Sequence, residues 1–510
     1  MNTYFARVRG ASIAALIALL SCSAQAADFR MGNVDRSGSR SIPAGAEGNF
    51  TRQNIEANGL RIRWTAATVA SVSGAAVTFD NAVYVGDIAG FMYAFDRNTG
   101  VLLWQTCVEA SCPGPDFFSG IVGNPLIKGT TVYIGTLSGS LVALDVKTGA
   151  VKWVHTPGVS PTFFGLPIDA VWGGPISVRN SIVYALAPND EFGLPVFGRA
   201  AVLAVNADTG AEIWRRPLIS DADYAAGSSG AGVWNTTPTY SPELDLIFVG
   251  TGQDTNPQGG EAGSDSFFAI DAQTGAIAWQ NQVRTGDTWS QILPYDPLNP
   301  TDTDIGASPA VFKSAGRLMV AAGDKRGIFW VLDAANGTIL NNGGAGLDLF
   351  DGILPGPGLT GGFNLDSGYV QSGNETRHFA VFSDQTTSLQ HIVDTFPDGV
   401  CYANVSCPIA ADTGNVVILE GDGSGEVCRF SAPYTQLFSP IHVGGMVVVR
   451  GSDDATIYVV DFEDCGLVTS FVLPTGWSFG ASLSFADGLV FTGGGVFGPP
   501  VLIALEVAKP

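Results

Sequence analysis

Positive charge is scarce in this 510-residue chain: 25 Lys and Arg stand against 47 Asp and Glu, a formal net charge of −22. Nucleic-acid binding rests on cations that neutralise phosphates, so that class of partner is excluded. Histidine is scarcer still: His155, His378, His391 and His442 show neither HxxxH nor HExxH spacing, which argues against a zinc site. There is no Gly-x-Ser-x-Gly elbow for a serine hydrolase and no CxxCH for an attached c-type haem. Gly356-Pro357-Gly358-Leu359-Thr360-Gly361 fits GxGxxG, but it neither follows a strand nor opens a helix, and Pro357 has no N–H to offer a phosphate. Beyond the N-terminus no apolar run reaches the ~20 residues that a membrane-spanning helix needs.

What is present is a globular composition, 46% hydrophobic and 14% charged, with 65 Gly and 28 Pro scattered among short β-branched runs. That mixture favours many strands joined by tight turns, an all-β chain. Arg7 and Arg9 precede an apolar run from Ala11 to Leu20 and then Ala24-Gln25-Ala26, the pattern of a signal peptide cleaved after Ala26. Export to the periplasm or beyond is the expectation. Leu19-Leu20-Ser21-Cys22 offers a second reading, a lipoprotein acylation site, against which Ala-Gln-Ala is the cleaner signal. Removing Cys22 from the seven cysteines leaves an even number for an oxidising compartment. The close pairs Cys107/Cys112 and Cys401/Cys407 suggest loop staples and leave Cys428 with Cys465, among about 15 possible pairings.

One pattern recurs along the chain: an apolar strand, a glycine turn, a second strand, then Ala-x-Asp-x-x-Thr-Gly-x-x-x-Trp. It reads Ala94, Asp96, Thr99, Gly100, Trp104, and again Ala143, Asp145, Thr148, Gly149, Trp153. It returns as Ala204, Asn206, Thr209, Gly210, Trp214 and as Ala269, Asp271, Thr274, Gly275, Trp279. Asp or Asn caps the turn, Gly takes the φ > 0 position, and Trp carries a large apolar area into the next unit. Weaker copies follow at Asp333 to Gly337 with Leu340 in the Trp slot, at Gly421 to Arg429, and at Asp461 to Phe471. The last unit, Ala481 to Glu506, has no closing strand after it, and Leu60-Arg61-Ile62-Arg63-Trp64 supplies one from the other end. The expected fold is an eight-bladed β-propeller of four-stranded antiparallel blades with tryptophan docking, closed by an N-terminal strand, over residues 60–510 after a 27–59 extension.

These repeats resemble the docking motifs of pyrroloquinoline quinone (PQQ) dehydrogenases, from about Arg61 to Glu506, and the loops look most like the polyvinyl-alcohol-dehydrogenase group. Trp234-Asn235-Thr236 and the later Gly250-Thr251-Gly252-Gln253 are similar to the family segment whose Trp is the floor under the quinone. The resemblance makes Trp234 that floor and Gln253 a calcium-binding amide. Thr285-Gly286-Asp287-Thr288-Trp289-Ser290 resembles the Asp-x-Trp-Asp loop, with Asp287 kept and Ser290 where a second acid is common. Asp302-Thr303-Asp304-Ile305-Gly306-Ala307-Ser308-Pro309 and Gly323-Asp324-Lys325-Arg326-Gly327 resemble two further elements, and Lys325 matches the cation that hydrogen-bonds the quinone carbonyls. Glu191 falls near the family acid that ligates calcium, and Arg199 aligns with an arginine before the third docking strand.

The chain also departs from that pattern. Pro195-Val196 stands where the family has an adjacent cysteine pair covering the quinone, and Gly361-Gly362-Phe363-Asn364-Leu365 lacks the usual Trp. The resemblance implies a periplasmic dehydrogenase that oxidises an alcohol, secondary or polymeric ones included. PQQ and Ca²⁺ would be held by Trp234, Lys325, Arg199 and Gln253, with Glu191, Gln253 and Asp287 on the metal and Asp287 as the base. A separate c-type cytochrome would take the electrons. A non-catalytic propeller that binds a protein or polymer is the alternative, since the same blades occur without a cofactor.

Overall fold

The computed structural model describes residues 28–112, 120–156, 162–163, 166–167, 174–177, 181–187, 199–233, 237–254, 262–287, 303–349, 366–384, 413–433, 437–452, 454–475, 482–495 and 499–509. They form an eight-bladed β-propeller of antiparallel sheets. Blade 1 sets the pattern: Val77–Phe79 lies innermost, followed outward by Ala82–Gly86, Phe91–Asp96 and Leu102–Cys107. The two middle strands of each blade are buried on both faces, so they read as near-continuous apolar runs rather than alternating ones. Blade 8 is built from both ends of the chain: Leu60–Ala67 pairs antiparallel with Val501–Val507 as its outer strand. The N-terminal closing strand read from the sequence is therefore present.

Each clean repeat makes a docking turn. Asp96 Oδ1 accepts the Thr99 N–H (2.9 Å) and hydroxyl (2.7 Å), and the Gly100 N–H closes onto the Asp96 carbonyl at 2.8 Å. Asp145, Asn206 and Asp271 make the same bonds to Thr148, Thr209 and Thr274. The Thr274 hydroxyl, with the turn amides, holds the Asp271 carboxyl below its usual range. Gly100, Gly149, Gly210, Gly275 and Gly337 all sit at φ of 69–73°, and the indole of the preceding blade covers each. A Cβ at Gly337 would stand 2.5 Å from Trp279 Cε3, so the glycine serves the close approach as well as the backbone conformation.

Two expectations are refined. In blade 5 the residue that bonds the next blade's turn is Asn341, one position after Leu340: its Nδ2 donates to the Gly423 carbonyl (3.3 Å), while Leu340 packs against the apolar cluster shared by blades 5 and 6. Two of the three cysteine pairs, Cys107–Cys112 and Cys428–Cys465, are disulfides, and Cys401 and Cys407 lie outside the described residues. Among the described residues no helix is long and apolar enough to cross a membrane.

Candidate functional site

In a propeller the turns between second and third strands and the blade-to-blade links emerge on one face. Blade 4 runs its second strand, Leu246–Gly250, into Thr251-Gly252-Gln253-Asp254 and returns through Asp265 to its third strand, Ser266–Asp271. Thr251 Oγ1 ties the two sides of this loop, accepting the Ser266 N–H (2.9 Å) and donating to the Gly263 carbonyl (2.7 Å). Asp287 follows the outer strand of blade 4, Ile277–Gln282, and Asp304 precedes the inner strand of blade 5, Ala310–Ser314. All four segments therefore meet on that face at the joint between blades 4 and 5.

Lys325 is placed by a tight turn after the second strand of blade 5, Arg317–Gly323. The Asp324 carboxylate accepts the Ile328 N–H (2.9 Å) and the Trp330 indole N–H (2.8 Å), and the Asp324 N–H donates to the Ile328 carbonyl (2.9 Å). Blade 1 builds the same turn on Asp87, with the Tyr93 hydroxyl in the place of the indole. Burial pushes Asp324 up to about 7 in spite of its hydrogen bonds.

The side chains carried by these loops converge. Asp304 accepts the Gln253 backbone N–H (2.8 Å) and pairs with the Lys325 ammonium at 2.5 Å, and the Lys325 N–H donates to the Asp304 carbonyl (2.9 Å). Asp287 accepts both the Thr303 N–H and its hydroxyl, the latter at 2.8 Å, which fixes the orientation of its carboxylate. One carboxylate oxygen from each of Asp265, Asp287 and Asp304 lies within 4.8 Å of the other two, and all three residues are buried. Like charges this close require a shared proton, a basic side chain or a bound cation. Oxygen donors of this type suit a hard cation such as calcium. The Gln253 amide, turned so that its nitrogen faces Asp304, donates to both Asp304 oxygens.

Of the residues read from the sequence, Gln253, Asp287 and Lys325 are thus brought together. Arg199 is linked to the site through its backbone, which bridges Gly230 as Gly230 bridges Asp254. Its guanidinium turns instead to Asp221 (2.5 Å), the Ile219 carbonyl (3.0 Å) and the Tyr224 ring. Trp234, Glu191 and Ser290 lie outside the described residues. Asp265 and Asp304 were not read as site residues. Asp304 was within reach, in the same element as Ser308-Pro309, whereas Asp265 has only its left-handed backbone, φ 43°, to set it apart.

A family model described as outer membrane protein assembly factor BamB matches residues 51–193, and one described as the glucose/ethanol/alcohol dehydrogenase β-propeller domain matches residues 173–342. The chain is 28% identical over 298 residues to a polyvinylalcohol dehydrogenase of Sphingopyxis sp. (strain 113P3), covering 54% of this chain and 45% of that protein. It is also 28% identical over 200 residues to the quinohemoprotein alcohol dehydrogenase ADH IIB of Pseudomonas putida, covering 34% and 27%. The chain thus spans less than half the length of these curated relatives. Among solved structures, the quinohemoprotein alcohol dehydrogenase of Comamonas testosteroni superposes with a TM-score of 0.70 at 19% identity, over 95% of this chain and 81% of that one, a likeness of fold. The docking turns and the blade count agree with these matches: the chain is similar to the PQQ-dependent alcohol-dehydrogenase-like β-propeller proteins in sequence over residues 173–342 and in fold over nearly its whole length.

Proposed function

We propose that this protein is an exported PQQ- and calcium-dependent dehydrogenase that oxidises an alcohol and passes electrons to a separate c-type cytochrome. The observation that carries the reading is the convergence of Gln253, Asp265, Asp287, Asp304 and Lys325, from separate loops, into one buried cluster at the joint of blades 4 and 5. The relatives named above, an alcohol dehydrogenase among them, support the substrate class.

Asp265, Asp287 and Asp304 would hold the calcium, together with Gln253 and, on the family pattern, Glu191. Trp234 and Arg199 would, on the family pattern, help to hold PQQ, which would supply the two-electron oxidising centre. The Lys325 ammonium, anchored on Asp304, is a preorganised donor for negative charge that develops beside it. Asp287, oriented by the Thr303 N–H and hydroxyl, takes the proton of the substrate hydroxyl. Cleavage after Ala26 delivers the chain to an oxidising compartment, consistent with its disulfides.

The alternative, a propeller that binds a protein or polymer without catalysis, draws on the match of residues 51–193 to the assembly-factor model. Purified full-length protein reconstituted with PQQ and Ca²⁺ separates the two. Dye reduction is expected with at least one of a primary, a secondary and a polymeric alcohol. Lys325→Met should slow turnover by about 10²–10³-fold. Quenching of protein fluorescence by PQQ that does not respond to Ca²⁺, with no dye reduction on any alcohol, would leave the scaffold reading.

A further inference from the structure

The innermost strand of a propeller blade leaves one edge facing the axis, with backbone N–H groups that need acceptors. Here a single segment, Asp28–Phe50, supplies them in six of the eight blades among the described residues. The Thr78 N–H donates to the Phe29 carbonyl (2.6 Å) in blade 1, and Ile127 to Arg30 (2.8 Å) in blade 2. Tyr240 donates to Arg36 (2.7 Å), Val311 to Ser37 (2.7 Å), Tyr369 to Ser39 (2.9 Å) and His442 to Arg40 (2.9 Å), in blades 4, 5, 6 and 7. The segment then passes Gly444 and Gly488, in the turns that follow the inner strands of blades 7 and 8. It makes one circuit of the axis.

Its level along the axis is fixed by two sets of contacts. Asp28 accepts the Asp80 N–H (3.2 Å) in the turn after blade 1's inner strand, on the face opposite the candidate site. Arg40, fully buried, reaches the level where inner strands begin: Nε donates to the Pro440 carbonyl (2.7 Å) and Nη1 to the Gly32 carbonyl (3.0 Å), Asn33 Oδ1 (3.0 Å) and Asp366 Oδ2 (3.1 Å). Asp366 Oδ1 accepts the Ser308 N–H (3.1 Å), Ser308 Oγ the Thr237 N–H (2.7 Å), and Thr237 Oγ1 the Gly174 N–H (3.0 Å). A polar layer therefore runs from blade 3 through blade 6 and closes on Arg40 at the axis. On the other side Gly32 lies flush against Asn124, where an added Cβ would stand 2.2 Å from Nδ2.

We propose that Asp28–Phe50 is a built-in stopper, a polypeptide ligand of the inner-strand edges that closes the axis from the far face and makes the candidate site a well with one mouth. On the dehydrogenase reading above, cofactor and substrate then enter and leave on the Lys325 face. A polymeric alcohol meets the site by a chain end or a bent segment and is not threaded along the axis.

The test uses the full chain and Gly32→Leu, which cannot fit against Asn124, with Arg40→Met as a second way to lift the segment. In the unmodified protein, hydrogen exchange of the inner-strand peptides holding Thr78, Ile127, Tyr240, Val311, Tyr369 and His442 should be slow, and trypsin should not cut after Arg40. Gly32→Leu should speed that exchange at least tenfold and expose Arg40 to trypsin, and a synthetic peptide of residues 28–50 should restore protection where a scrambled one does not. Fast exchange in the unmodified protein, or equal exchange in both, overturns the stopper. Should neither variant fold, slow exchange and trypsin resistance in the unmodified protein support it, and their loss overturns it. These readouts need no cofactor, so loss of the stopper and absence of alcohol oxidation are separate results. Where oxidation is present, Gly32→Leu should raise the rate on a long polymer relative to a short diol, and an unchanged ratio overturns the single-mouth consequence.

Discussion

Two parts of the ring join their blades differently. From blade 8 round to blade 5, every joint places an indole against a glycine: Trp64 on Gly100, Trp104 on Gly149, Trp153 on Gly210, Trp214 on Gly275 and Trp279 on Gly337. In the other three joints the same positions carry other chemistry. Cys428 pairs with Ile418 next to the strand irregularity, as Trp104 pairs with Ala94, and Cys465 takes the glycine's turn position at φ 57°. The disulfide between them stands in for the indole on its glycine. Between blades 5 and 6, Asn341 bonds the Phe329 and Gly423 carbonyls and accepts the Val331 N–H. Between blades 7 and 8, Thr469 holds the indole position, and helix α1 (Arg52–Asn58) packs there, with Arg52 paired to Asp461. The joint geometry is constant and the chemistry that fills it is exchangeable.

The comparison can be broken most directly at Trp279, which closes the joint that carries Asp287 and Asp304. Trp279→Ala removes a buried indole and its bond to the Ala334 carbonyl (3.0 Å), and should cost about 3–5 kcal/mol of unfolding free energy by urea titration. Equivalence of the two locks is the sharper question. Cys428→Ala with Cys465→Ala should cost about 2–5 kcal/mol. The swap Cys428→Trp with Cys465→Gly should recover much of that loss and make stability indifferent to reductant. A swap no more stable than the double alanine would show that the joints are not interchangeable.

Acid should separate the two regions as well. Burial holds His378 in blade 6 and His442 in blade 7 down at about 4, the latter with Ser41 Oγ at 2.8 Å from its Nδ1. Their folded values lie below the unfolded one of about 6.5, so the unfolded chain binds more protons between the two. Stability from each histidine is complete above pH 6.5 and lost as pH falls through that window towards 4, about 3 kcal/mol apiece. Asp324 runs the other way, its raised value making the fold less stable as pH climbs from about 4 to 7. Stability measured from pH 6.5 to 4 should lose one proton of slope in His442→Gln, with exchange in blades 6 and 7 opening before blades 1 to 4. An unchanged slope would mean that His442 is protonated in the fold.

The same contrast explains what the sequence revealed. The five glycine–indole joints advertise themselves because Ala-x-Asp-x-x-Thr-Gly-x-x-x-Trp is contiguous in the chain: Asp, Thr and Gly bond within one turn, and the Trp four residues on reaches the next blade. Cys428 and Asn341 do the same work with no shared residue type, and the residue that bonds the next blade's turn stands one position after the Leu340 slot. In the site, Gln253, Asp287 and Lys325 were legible from short runs resembling a known family. The meeting of Asp265 with Asp304 depends on loops from two blades, which no local pattern encodes. The circuit of Asp28–Phe50 is less visible still, because it is made by backbone carbonyls that carry no residue signature.

Asn341 offers the smallest and most specific test of whether polar joints bear weight. Its amide sits 3% exposed and makes its bonds with both the oxygen and the nitrogen, two to its own blade and one across the joint. Asn341→Ala leaves the Phe329 and Gly423 carbonyls and the Val331 N–H without that partner, a loss of about 1–3 kcal/mol by urea titration. Asn341→Leu restores volume but not the bonds, so it should be no better than alanine if hydrogen bonding holds blades 5 and 6 together. Were leucine to recover full stability, this joint would be apolar in effect, and the distinction from the indole joints would reduce to shape.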